Sequence, residues 1–433
     1  MTESGFSNHR LVIIGSVWPE PKSSAAGTRM MQLIALLKTV FGEIVFASPA
    51  TRSIHRTALD ALGVQEADIR LNCSSFDDWL IRLQPAAVIF DRFMSEEQFG
   101  WRVAQNCPSA LRILDTEDLH SLRAVRGDLL KQGQKKSVMQ PGRSLGPVSE
   151  SPDQLYKAMA ANDLTLRELA SIYRSDLSLM ISEFEMNLLT EQFHLSPALL
   201  HYLPLFAKVN DSPGLSFSER RDFVSIGNFR HPPNWDAVLW LKDQLWPAIR
   251  AQLPEAKLHL YGAYPPPRAT ALNNVEQGFL VRGHAEDAHQ VLSTARVCLA
   301  PLRFGAGLKG KLLDAMACRT PSITTSIGAE GIMSTHAWPG AVCDDPADFI
   351  NAAVRLHQDQ AGWESARSLC AGLLQARFSQ DAFSAAFRQR IEQLITQLKE
   401  HRAGNIVGAM LNHHQHQSTR YMARWIEAKN RTR

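Results

Sequence analysis

Pro301-Leu-Arg-Phe-Gly-Ala-Gly-Leu-Lys-Gly-Lys-Leu-Leu-Asp-Ala-Met-Ala317, followed closely by Pro321-Ser-Ile-Thr-Thr-Ser-Ile-Gly-Ala-Glu-Gly331, is the stretch from which the fold is read. An apolar run, Val297 to Ala300, leads into a glycine-bearing loop, then a helical pattern with Lys309 and Lys311 in its first turns, then a second short apolar run. Strand, glycine loop and helix in that order build a phosphate site. Glycine lets backbone approach an anion, helix N-terminal amides point at it, and lysines supply the positive charge a diphosphate requires.

The same alternation runs through the rest of the chain. Apolar runs recur at Leu11 to Ile14, Ile44 to Phe46, Ala87 to Phe90, Ile113-Leu114 and Leu179 to Ile181. They return at Phe223 to Ile226, Lys257 to Tyr261, Val297 to Ala300, Ser322 to Thr325 and Ala341-Val342. Strands separated by helical segments predict two parallel sheets covered on both faces, hence an α/β chain of two Rossmann-like domains facing a central cleft. We read residues 1–210 as an N-terminal domain, 219–395 as a C-terminal domain that carries the glycine and lysine loop, and 396–433 as a helical tail. The turn-rich segment Asp211 to Ser218 is the predicted linker.

Composition narrows the functional classes. The 433 residues are 45% hydrophobic and 21% charged, a globular balance with room for two cores. A net charge of only +3 excludes a chain-wide polycation, so nucleic acid is not an expected partner. The six cysteines lack any C-x-x-C pair and read as reduced thiols of a cytoplasmic protein. No window approaches the roughly 20 apolar residues of a membrane span. Six basic residues and one acid lie between Arg123 and Arg143, which is either a solvated loop or a peripheral contact with acceptor or anionic lipid at the inner membrane face.

Other loops at strand ends carry candidate chemistry. Trp18-Pro-Glu-Pro-Lys-Ser-Ser-Ala-Ala-Gly-Thr-Arg29 follows the first strand, with Ser23 or Ser24 placed to cap a helix and Gly27 allowing close backbone approach. Asp115-Thr-Glu-Asp-Leu-His120 gathers three carboxylates and an imidazole after the strand Leu111 to Leu114, at the edge where open α/β sheets bind ligands. There Asp118 or His120 can take an acceptor proton, or His120 can donate to a sugar hydroxyl; alternatively Asp115 and Asp118 cap the next helix. Ser182 and Glu185 fit a capping box, and Asn234 fits a helix cap. Glu330 either holds a substrate hydroxyl or pairs with a lysine. No paired aspartates stand at a strand end to hold a divalent ion, Asp77-Asp78 reads as a helix start, and His413-His-Gln-His416 lacks acid or cysteine partners, so no metal or cofactor is expected.

Phe304-Gly305, Lys309, Lys311, Asp314-Ala315-Met316-Ala317 and Pro321 resemble the donor-sugar site of family 4 glycosyltransferases of the two-Rossmann (GT-B) type. Two carboxylates of that family's motif, eight positions apart, correspond here to Ala306 and Asp314, and Arg319 stands where the family commonly has glycine. The resemblance implies a metal-independent, retaining transfer of sugar from a nucleotide diphosphate donor to a carbohydrate, lipid or protein acceptor, as in carbohydrate biosynthesis. It implies an acceptor-side domain in 1–210 and a nucleotide-sugar-binding domain in 219–395, donor contacts at Gly27, Gly227, Arg230, Gly305, Lys309, Lys311, Asp314 and Glu330, a sugar contact at His120, and C-terminal helices that cross back to the first domain. The rival readings are a non-catalytic sugar-nucleotide-binding protein of the same fold and a sugar-nucleotide epimerase or hydrolase.

Overall fold

Apolar strand centres flanked by turn residues dictate where the backbone pairs. The computed structural model describes residues 9–138, 146–210, 214–333 and 335–431. The first sheet is formed by β1 (Arg10–Ile14), β2 (Glu43–Ser48), β3 (Gln65–Asp68), β4 (Ala87–Asp91), β5 (Leu111–Asp115), β6 (Leu177–Met180) and β7 (Leu200–Tyr202), in the order β3-β2-β1-β4-β5-β6-β7. The second is formed by β8 (Arg221–Ile226), β9 (Leu258–Tyr261), β10 (Phe279–Gly283), β11 (Ala295–Ala300), β12 (Ser322–Thr324) and β13 (Gly340–Val342), in the order β10-β9-β8-β11-β12-β13. Pairing is parallel in both sheets, with Leu11 opposite Ala87 and Leu299 opposite Ile323. Every predicted strand is present. β3, β7 and β10 are additional edge strands: Gln65-Glu-Ala-Asp68 carries no apolar run to reveal it.

The order of each sheet reverses beside its first strand, between β1 and β4 and between β8 and β11. Chains leaving the carboxyl ends of such neighbours diverge, opening a crevice for ligand. The loops after β1, β5, β8 and β11 therefore converge on one cleft between the sheets.

The last helices return to the first domain. Helix Gln360–Phe378 packs Leu373, Leu374 and Phe378 with Leu312 and Met316 of the second domain. The next, Gln380–Thr396, already buries Phe387, Ile391 and Leu394 against Leu11, Ile13 and Phe46 of the first. The crossing thus begins at Gln380, inside the segment assigned to the second domain, because apolar residues at helical spacing there match the open face of the first sheet. Arg402 then clamps Asp176 with Nε and Nη2, each at 2.7 Å. The expected helical tail ends in one long helix, Ile406–Arg431. Of the expected linker, residues 211–213 lie outside the described residues.

Phe387→Ala removes a fully buried ring from the first domain and is expected to cost about 3–5 kcal/mol. A lower thermal midpoint by calorimetry checks it; an unchanged midpoint contradicts the returning helix as a part of that core.

Candidate active site

Two helix starts meet across the cleft. Helix Ala25–Leu37 is capped by Ser24, whose Oγ accepts from the Gly27 N–H at 3.0 Å, and helix Gly310–Ala317 begins opposite it. A Cβ on Gly310 would stand 3.0 Å from Ala25 Cβ, so the two domains touch at these termini. Beside them lies a cavity of about 500 Å³ lined from both domains. Partial positive charge from both helix ends, with the lysines, makes the cleft suited to an anion.

Lys311 lines the cavity and donates from Nζ to Asn234 Oδ1 at 2.7 Å, while Asn234 Nδ2 reaches the Asn228 carbonyl at 3.1 Å. The residue capping helix Pro232–Trp240 is His231, so Asn234 positions the lysine instead of capping. A Cβ on Gly227 would meet Lys311 Nζ at 2.6 Å and Asn234 Cγ at 2.8 Å, so a side chain there would displace this pair. Burial lowers the Lys311 amine to about 8. Lys309 also lines the cavity, donates to the Gly307 carbonyl at 2.8 Å and lies 4.0 Å from Glu330, with burial lowering its pKa.

Glu330 is turned to Arg126 of the first domain, accepting from Nη1 at 2.8 Å and Nη2 at 2.7 Å. It is not among the cavity's lining residues, and so it fastens the domains while the charge of Lys309 stands nearby. Arg126 also donates to the Gly305 carbonyl at 2.9 Å. Gly305 lines the cavity, yet a Cβ there would meet nothing closer than 3.7 Å; the glycine the loop requires is Gly307, at φ +62 with a prospective Cβ 2.7 Å from Asp118 Cβ. Gly27 borders an adjoining cavity of about 410 Å³ rather than the main one, and its lack of a side chain serves the turn at Glu20, whose carbonyl a Cβ would approach to 2.3 Å. Arg230 borders both cavities, its guanidinium 4.3 Å over the Tyr264 ring. Asp314 lies in the wall with Oδ1 3.4 Å from His289 Nε2, and this contact raises the His289 pKa. Ala306 packs against the apolar core of the first domain.

On the first-domain side, His120 and Asp118 do come together, Nε2 to Oδ1 at 3.4 Å. Neither carboxylate of that loop caps the helix that follows: Asp118 takes an ion pair from Arg123, and Asp115 takes one from the buried Arg29 at 3.3 Å. The N–H groups of His120 and Ser121 are held by Glu168 at 2.9 and 3.1 Å. Burial pulls His120 down to about 4, so its ring is neutral at physiological pH. Burial raises Asp118, but Arg123 and His120 outweigh it and leave the carboxyl low. Arg92 and Glu117, after β4 and β5, sit at φ +69 and +63 in the cleft wall, a backbone region that residues other than glycine adopt only at a cost. Burial, with Asp115 beside it, pushes Glu117 well above the usual carboxyl range.

Glu185 is the largest departure from the sequence reading. Ser182 makes no side-chain cap contact, so the capping box does not form. Instead the buried Glu185 Oε1 accepts from the Leu119 N–H at 3.1 Å and the Gly307 N–H at 2.7 Å, joining the loop of Asp118 and His120 to the loop of Gly305 and Lys309. No local signal marks Glu185, Arg126 or Asn234, because each acts on a residue far along the chain. Among the described residues no three His, Cys, Asp or Glu side chains converge to hold a metal ion.

Residues 220–359 match the Glycosyl transferases group 1 family. The chain is 22% identical over 172 residues to an uncharacterized 44.6 kDa protein in the cps region of Klebsiella pneumoniae, a match covering 38% of this chain and 44% of that one. Solved structures share the fold at low identity. Sucrose-phosphate synthase of Thermosynechococcus elongatus is 17% identical with a TM-score of 0.60, and Anabaena HepE, solved with UDP and glucose, is 11% identical with 0.60. The lipopolysaccharide outer core galactosyltransferase WaaB is 12% identical with 0.53. Each of the three covers 89% of this chain and 99% of its own. The second domain is thus of the glycosyl transferases group 1 type, and the chain has the two-Rossmann GT-B architecture.

Burial, ahead of the nearby Asp118 charge, lifts the Glu185 carboxyl to about 8, well above about 4.3 in the unfolded chain. The folded protein holds this proton more tightly, so the contribution is full below pH 4.3 and lost as pH rises to about 8. Glu185→Gln keeps the accepting oxygen without titrating. The stability of the variant relative to the parent is therefore expected to increase from pH 5 to 8 and then level off, as followed by thermal unfolding; a constant difference contradicts the buried acid.

Proposed function

We propose that this chain, whose second domain is of the glycosyl transferases group 1 type, moves a sugar from a nucleotide diphosphate sugar to a carbohydrate, lipid or protein acceptor on the first domain. The observation that carries this reading is the meeting of two helix N-termini with Lys309 and Lys311 at one cleft. The bond from anomeric carbon to β-phosphate oxygen breaks, the acceptor oxygen bonds to that carbon, and negative charge grows on the departing diphosphate. Lys311 and the helix amides stabilise it without a metal ion or other cofactor.

His120 is better suited to hydrogen-bond a sugar hydroxyl than to take a proton, since its ring gains a proton only near pH 4. Asp118, occupied by Arg123 and His120, holds that ring in place. The acceptor proton then passes to the departing phosphate oxygen, on the face where the new bond forms, which retains the anomeric configuration. Asp314 and His289 supply a carboxylate and an imidazole at the rim for the ribose hydroxyls of the nucleotide. The UDP and glucose in the HepE structure make UDP-glucose the first donor to try. No helix among the described residues is long and apolar enough to cross a membrane, and the cysteines are free, which suits a reducing compartment such as the cytoplasm.

A non-catalytic sugar-nucleotide-binding role is favoured by one observation: Ala306 packs on the first domain's core and offers no carboxylate to a sugar hydroxyl. Release of nucleotide diphosphate across a panel of donors and acceptors separates the two, since a binding module gives none.

Lys311→Met is expected to weaken nucleotide diphosphate binding by about tenfold to a hundredfold, the loss of one charge-assisted contact worth about 1.5–3 kcal/mol. Isothermal calorimetry in excess EDTA measures it. Parental affinity in the variant, or parental binding that requires added magnesium or manganese, contradicts the proposed site.

A further inference from the structure

Helix Ile406–Arg431 presents two unlike faces. One is fixed to the first domain: Ala423 is buried, Glu427 accepts from Ser74 Oγ at 2.7 Å, Asn412 accepts from Arg112 at 3.3 Å, and a Cβ on Gly408 would strike the Tyr173 carbonyl. These positions share one side at about 100° per residue. On the other side Ile406, Val407, Met410, Tyr421 and Trp425 fall within an arc of about 100°, with Met422 about 60° beyond it. All six are between 42% and 69% exposed. Six large apolar side chains, exposed at 406–410 and again at 421–425 of the same helix, call for a covering partner.

The charges bordering that arc say which. Arg420 and Arg424 lie along one border and Lys429 along the other, its Nζ 5.0 Å over the Trp425 ring. Across the helix four Arg and Lys stand against one acid, Glu427, which is turned inward onto Ser74. A second copy laid on this face would bring Arg424 and Lys429 against cationic side chains with no acid to answer them. A negatively charged surface answers both borders at once. The helix is about 39 Å long, and no helix among the described residues is apolar enough to span a bilayer, so it can lie only in the plane of one.

We propose that this face is a peripheral membrane-binding surface that seats the first domain on anionic lipid. Tyr421 and Trp425 enter the headgroup region ring-first, Ile406 and Met410 reach the acyl boundary, and Arg420, Arg424 and Lys429 extend to lipid phosphates. Binding then depends on lipid charge and is weakened by salt. The inference is independent of the chemistry in the cleft, which lies in other elements.

The test is co-sedimentation of the full chain with vesicles of phosphatidylcholine, with and without a third of phosphatidylglycerol. Binding to the anionic vesicles alone, reduced by salt, is expected. The paired substitutions Tyr421→Ser with Trp425→Ser, and separately Arg424→Glu with Lys429→Glu, should each weaken it by about tenfold or more, at about fivefold per cation. Both variants should keep the parental thermal midpoint and nucleotide binding. The proposal is overturned by absence of binding to anionic vesicles, by equal binding to neutral ones, by variants that bind like the parent, or by light scattering that shows a dimer dissociated by the aromatic pair.

Discussion

The buried carboxyl of Glu185 holds the site's two halves in register. Its Oε1 receives the Leu119 N–H from the loop that carries Asp118 and His120, and the Gly307 N–H from the loop that carries Lys309 and Lys311. Leaving either N–H unpaired in a buried place costs about 1–3 kcal/mol, so each loop is held by the same atom. Arg126 ties the same two domains a second time, through Glu330 and the Gly305 carbonyl. Together these contacts decide that His120 faces the cavity which the lysines line, and they place Gly307 so close to Asp118 that only glycine fits.

Around that register, charge is concentrated where an anion would need it. Lys309 and Lys311 are both lowered by burial, so an anion beside them would favour their charged forms. Asn234 keeps the Lys311 amine hydrogen-bonded. The left-handed backbone at Arg92 and Glu117 points the same way, since strain of this kind persists where the surroundings hold it for a purpose.

Much of the architecture was legible in the sequence because parallel strands buried on both faces leave runs such as Leu11 to Ile14 and Val297 to Ala300. Edge strands such as Gln65–Asp68 leave none. The loop between the strand ending at Ala300 and the helix starting at Gly310 was legible because glycines and lysines punctuate that strand-to-helix junction. Arg319, where the resembled family commonly has glycine, adopts φ +51, which glycine takes at no steric cost. What could not be read were the long-range ties. Glu185 looked like half of a capping box, Asn234 like a cap and Glu330 like a substrate contact or a lysine's partner, with nothing to reveal Arg126, because local pattern shows a side chain's nearest option and not the partner that tertiary packing brings to it.

The account rests on a single location for phosphate, between the starts of helices Ala25–Leu37 and Gly310–Ala317. A crystal structure of the chain with a bound nucleotide diphosphate tests this most directly. The account predicts phosphate oxygens within hydrogen-bond distance of Lys311 and of amides at those helix starts, with the ribose at Asp314. A nucleotide bound elsewhere, or phosphates in the cleft that leave Lys309 and Lys311 untouched, would contradict it.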